Sequence, residues 1–125
     1  MRIVYICSPL KGDIQQNIEN ALEYCRRVTF EGNVPVAPHA YFTSFLDDTV
    51  PHERKAGMKM GMELLKHADE LHVFGDRISE GMQNEIIYAE ENGIPVTYRP
   101  GMEQTAECRL INQPPQAVMQ MQRGW

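Results

Sequence analysis

A short apolar run ending in glycine, Leu71-His72-Val73-Phe74-Gly75, is followed closely by Ser79-Glu80-Gly81-Met82-Gln83-Asn84-Glu85. A strand leading into a helix opened by Ser and Gly leaves backbone N–H groups without intrahelical partners beside one carboxylate. Such groups favour anions and the oxygens of a sugar or phosphate, and Glu85, one turn past Gly81, can serve there as a base or a nucleophile. Its side chain leans back toward the helix N-terminus. On spacing alone, Glu85 also fits a surface helix carboxylate favoured by the dipole, Ser79 a plain N-cap and Gly81 a helix-start glycine.

Tyr5 lies on the first strand, which is central in the topology inferred below and runs to the same edge as Glu85. Its phenol can hydrogen-bond a carboxylate and hold it in place, or can simply fill the core. Ser8, Lys11 and Gly12 form the turn after that strand, where amides and a lysine can hold a phosphate or ribose, although the glycine spacing is not that of a Walker or dinucleotide loop. His39 follows Pro38 at the end of the second strand, within reach of the same edge, and His52 with Arg54 opens a later helix. Met58, Met60 and Met62 read as packing. Asp69 precedes the third strand and so falls at the opposite end of the sheet.

These residues need a frame. Apolar strand-like runs alternate with helical-period segments, which points to βαβ units and a parallel sheet. The first strand spans about 2–7. Asp13 caps a helix with Gln16 completing the box, and Ile14, Ile18, Ala21, Leu22, Cys25 and Val28 form its apolar stripe up to Gly32. A second strand falls at 34–37. The stretch 39–50, with Tyr41, Phe42 and Phe45, lacks a period and reads as a long functional loop or lid. Pro51 opens a helix reaching 68, 71–74 is the third strand, 79–92 the third helix ended by Gly93, and 94–98 the fourth strand. Right-handed crossovers then give an α/β three-layer αβα sandwich, flavodoxin- or Rossmann-like, with a mainly parallel four- to five-stranded sheet and ligands beyond the strands' carboxyl ends. Residues 1–100 form the domain. Residues 101–125, rich in Gln, Met and Pro, form an extension with a short strand or helix near 107–111, packing on the core or on a neighbouring subunit.

The 125 residues suit one domain, and the net charge of -5 opposes a surface built to neutralise nucleic acid phosphates. Cys7, Cys25 and Cys108 are odd in number and show no metal spacing, so reduced thiols, no metal and no cofactor are expected. No apolar run reaches membrane-spanning length, and a cytoplasmic protein without membrane partners is the simple expectation. Met119, Met121 and Trp125 offer apolar surface that a homodimer or larger homo-oligomer would cover.

Val4-Tyr5-Ile6-Cys7-Ser8-Pro9, together with Ser79-x-Gly81-Met82-x-x-Glu85-x-x-x-Ala89, resembles the nucleoside 2-deoxyribosyltransferase superfamily, and looks most like its small DUF4406 branch, from the first strand to about Tyr98. The resemblance implies an N-glycosidic bond hydrolase or deoxyribosyltransferase acting on a nucleoside or nucleoside 5′-monophosphate. It puts the nucleophile on Glu85 and its positioner on Tyr5; beside them, the turn, strand-end and helix-start residues Ser8, Lys11, Gly12, His39, Ser79, Gly81 and Met82 are expected to hold substrate. Relatives commonly carry an aspartate on the second helix that assists at the base. Counting back from Asp69 puts Gly61 there; Glu63 faces another direction, and His39 or Asp48 could substitute. A non-catalytic nucleotide sensor or sequestering protein on the same fold is the alternative, and a flavodoxin-like interaction module a third.

Overall fold

The computed structural model describes residues 1–102. Its elements are β1 (Ile3–Cys7), α1 (Ile14–Phe30), β2 (Val34–Val36), α2 (Pro38–Phe42), α3 (Pro51–Lys66), β3 (Glu70–Phe74), α4 (Glu80–Glu91) and β4 (Val96–Arg99). The four strands form one parallel sheet in the order β2-β1-β3-β4. The order reverses between β1 and β3, and ligands on such sheets bind where neighbouring crossovers leave on opposite faces.

The sheet is the middle of three layers. Tyr5, Cys7, Leu71 and Val73 point to one face and pack with Leu65 of α3 and Met82, Ile86 and Ala89 of α4. Val4, Ile6 and Phe74 point to the other and meet Tyr24 and Val28 of α1. Alternation along β1 therefore assigns each side chain to a face. The strands are near-continuous apolar runs because both faces are covered.

Local chemistry sets the helix ends. Asp13 Oδ1 accepts from the Gln16 amide at 3.2 Å and starts α1, and Ser79 Oγ accepts from the Met82 amide at 3.3 Å and starts α4. Pro51 occupies the first turn of α3, where its missing N–H costs nothing. Gly32 and Gly93 follow α1 and α4 with φ of 91° and 71°, a conformation L side chains resist.

Two expectations change. The 39–50 stretch begins with a short helix, α2, and its rings pack on one another: Tyr41 lies 5.4 Å from both Phe42 and Phe45. Five residues are too few to display a helical period, so the sequence shows no such signal. On α1, Tyr24 takes the core position while Leu22 is exposed, because the narrow stripe centres on Ala21, Tyr24 and Val28. The strand or helix expected near 107–111, Cys108, Met119, Met121 and Trp125 lie outside the described residues. Among the described residues no helix is long and apolar enough to cross a membrane.

Candidate active site

Tyr5 sits at the centre of β1 and Glu85 in the second turn of α4, and the fold brings them together. The Tyr5 hydroxyl donates a hydrogen bond to Glu85 Oε2 across 80 residues of sequence. Cys7, next along the same face of β1, has one thiol proton to share between the Met82 carbonyl, 3.7 Å from Sγ, and the Glu85 carboxyl. Burial pushes that carboxyl up to about 7, and the bonds from Tyr5 and Cys7 oppose the rise. Burial, followed by the nearby Glu85 charge, raises both the Tyr5 phenol and the Cys7 thiol. Both stay protonated as donors, so the proton exchanged near neutral pH is the one on Glu85.

The pair forms part of the wall of a cavity of about 460 Å3. Its rim comes from the segments that follow the strands: Leu10 and Lys11 after β1, Pro38 and His39 after β2, Ser79 and Gly81 after β3. Phe42, Leu46 and Met58 supply apolar wall, and Asp48 stands among them. Burial holds the His39 ring below the ordinary histidine range, against the opposing pull of Asp48 and of a hydrogen bond with the Ser8 backbone. His39 is thus a neutral imidazole at pH 7 beside an acid that titrates there.

Gly61 faces this site. A Cβ at Gly61 would stand 3.4 Å from the Tyr5 hydroxyl and 3.8 Å from Pro38 Cβ, so any side chain there would project beside Tyr5. Gly57, one turn earlier, has Leu46 Cδ1 at 3.6 Å from its own Cβ position. Two glycines at i, i+4 leave a smooth helix face where the cavity needs room.

Of the residues singled out from sequence, Tyr5, Lys11, His39, Ser79, Gly81, Met82 and Glu85 all line the cavity. Ser8 does not. Alternation turns it to the α1 face, where its buried hydroxyl, without a hydrogen-bond partner among the described residues, borders a separate hollow with Asn17, Asn20, Asp76 and Arg77. Gly12 lines a neighbouring hollow instead, because the turn carries it outward past Lys11. The Met82 amide is not free for a ligand, being taken by the Ser79 cap. Asp69 Oδ2 accepts from the Ile3 amide at 2.7 Å, at the far end of the sheet. Sequence reasoning missed Cys7, whose signal was its two-residue spacing from Tyr5.

The family model matching residues 2–99 is described as Domain of unknown function (DUF7768). The chain belongs to the DUF7768 family. The sequence pattern points to DUF4406, and DUF7768 is the family that matches. No curated protein matches this DUF7768 chain. Among solved structures it is similar to a 2-deoxyribosyltransferase from the psychrotolerant bacterium Bacillus psychrosaccharolyticus, with 16% identity and a TM-score of 0.64 over 78% of this chain and 72% of that one. At that identity the likeness establishes a shared nucleoside 2-deoxyribosyltransferase-like fold.

Proposed function

We propose that this protein cleaves or transfers the N-glycosidic bond of a nucleoside or nucleoside 5′-monophosphate, with Glu85 as nucleophile and Tyr5 as the group that positions it. The observation carrying this reading is the hydrogen bond from Tyr5 to the Glu85 carboxyl inside a cavity at the carboxyl edge of the sheet. The 2-deoxyribosyltransferase fold adds support.

The chemistry is that of a retaining glycosidase. Ionised Glu85 attacks the anomeric carbon as the C–N bond breaks, and the base departs with the bonding pair and takes up a proton from solvent water. Water, or a second base in transfer, then displaces the glycosyl ester and restores the carboxylate. The donors on Tyr5 and Cys7 favour the ionised form, so they keep a buried acid usable near pH 7. With one ring nitrogen engaged by the Ser8 backbone, the other nitrogen of neutral His39 can accept a proton from the attacking water. Ser79 and Gly81 border the place where the sugar would lie. No metal or cofactor takes part in this scheme. Tyr41 and Phe45, exposed beside the cavity, together with the apolar residues of the 101–125 extension, favour a homo-oligomer that closes the site, and a cytoplasmic setting accords with free thiols on Cys7 and Cys25.

Base release from a panel of nucleosides and their monophosphates, with Glu85→Ala as control, tests the proposal. Turnover by the wild type that the variant lacks supports it; no turnover by the wild type, or equal turnover by both, defeats it. One observation favours a second reading, a nucleotide sensor: Gly61 places no acid beside Tyr5, where the resemblance to deoxyribosyltransferases implies an aspartate. Stoichiometric nucleotide binding without product would select that reading.

A further inference from the structure

The chain is acidic, with 17 Asp and Glu against 12 Lys and Arg, yet cations gather at one mouth of the site. Lys11, from the turn after β1, and Arg54 and Lys55, from the start of α3, border a shallow hollow of about 590 Å3. Lys11, Asp48, Arg54 and Met58 border both this hollow and the Glu85 cavity, so the two adjoin. Elsewhere Arg2, Arg26, Lys66 and Arg99 each sit against a carboxylate. Among the described residues, no ion pair or hydrogen bond holds the side chains of Lys11, Arg54 or Lys55. In this hollow three cations face one carboxylate, Asp48, whose own charge also acts on His39, while Glu53, Glu80 and Glu85 line the adjoining cavity.

Unpaired like charges around a concave surface repel one another, and the same arrangement concentrates field on an incoming anion. The start of α4 competes poorly for that anion. Glu80 places an acid in its first turn and lines the cavity, and the Ser79 cap takes the Met82 amide. Building on the glycosidic reading, we propose that the hollow bordered by Lys11, Arg54 and Lys55 binds the phosphate of a nucleoside 5′-monophosphate, making phosphorylated nucleosides the preferred substrates. The phosphate is carried on C5′, across the furanose ring from the anomeric carbon. Anchoring it at the mouth leaves the anomeric carbon to reach Glu85 inside. The cations also offset the repulsion between the phosphate and the Glu85 carboxylate, and remote binding of this kind can be used to orient the reacting bond.

The test compares kcat/KM for base release from nucleosides and the matching 5′-monophosphates in the wild type, Arg54→Ala, Lys55→Ala and the charge-keeping Arg54→Lys. The wild type should favour monophosphates by about tenfold or more, since hydrogen bonds to a charged group are worth that much. Each alanine variant should cut the ratio at least about threefold, through KM more than kcat, Arg54→Lys should keep most of it, and added salt should erode it. A wild type that prefers free nucleosides, or a ratio that the alanine variants leave unmoved, overturns the phosphate site while the glycosidic reading stands. If neither substrate turns over, that reading falls separately, and calorimetric titration with ribose 5-phosphate decides the hollow. Binding weakened at least about threefold by Arg54→Ala supports the site; absent binding, or binding the variant leaves unaltered, overturns it.

Discussion

The two faces of the sheet treat their carboxylates in opposite ways. On the α1 face, Tyr24 stacks on Phe74 with centroids 4.3 Å apart, and the Arg99 guanidinium lies 5.0 Å from the Phe74 ring centre while pairing with Glu31. Arg99 also donates to His72 Nδ1 at 3.2 Å, leaving His72 Nε2 to donate to Glu70, which pairs with Arg2 as well. Glu70, served by these donors, is held below the ordinary carboxylate range. On the opposite face Glu85 has, among the described residues, two neutral donors and no cation paired with it, and burial carries it up to about 7. One face is knit by matched charges around stacked rings. The other holds an acid at some cost to stability beside an open cavity, the arrangement expected where a fold gives up stability for chemistry.

The largest break in this comparison is Glu85→Gln, which under the proposed mechanism should lower base release by about 10,000-fold or more, loss of a nucleophile elsewhere costing about a million-fold. On the α1 face the matching insult is Phe74→Ala, which should cost about 3–5 kcal/mol in urea denaturation yet leave the Glu85 titration near 7 in carboxyl NMR. A large shift of that titration would show that the faces are not independent.

Tyr5→Phe sharpens the comparison by removing a donor without emptying the core. Loss of a hydrogen bond to a charged acceptor should slow turnover by about 10- to 100-fold and move the acidic limb of the pH profile upward. The stability of Glu85→Gln at pH 8 probes the same cost. Between 4.5 and about 7 the folded carboxyl stays protonated while the unfolded one ionises, so wild-type stability falls as pH rises through that window and levels off above it. The glutamine variant escapes that loss and should be more stable at pH 8, on the order of 2 kcal/mol, and little different at pH 4. Gly61→Ala should have the smallest effect. Its methyl would stand at ordinary contact distance from Tyr5, and a helix-favouring residue should raise the thermal midpoint by the equivalent of about 1 kcal/mol or less.

Much of the open face was legible in the sequence because it rests on period and register. The strand residues alternate, the Ser79 cap fixes where α4 begins, and Glu85 then falls on the turn facing β1, which explains its meeting with Tyr5. Ser8 was misplaced for the same reason that Tyr5 was placed: one step along a strand changes face. Leu22 and Tyr24 exchanged places because two apolar-capable residues compete for one narrow stripe and packing decides between them. The α2 turn carries too few residues to show a period. Nor does spacing reveal that Lys11 and Arg54, 43 positions apart, share one hollow, since that contact depends on where α3 docks.

Acid-quenched mass spectrometry during turnover, with the peptide bearing Glu85 resolved, tests the central claim most directly. A nucleophilic role for Glu85 predicts a glycosyl adduct on that side chain, absent in Glu85→Gln. Base release that proceeds with the adduct on another residue, or with no adduct at any time point, would contradict it.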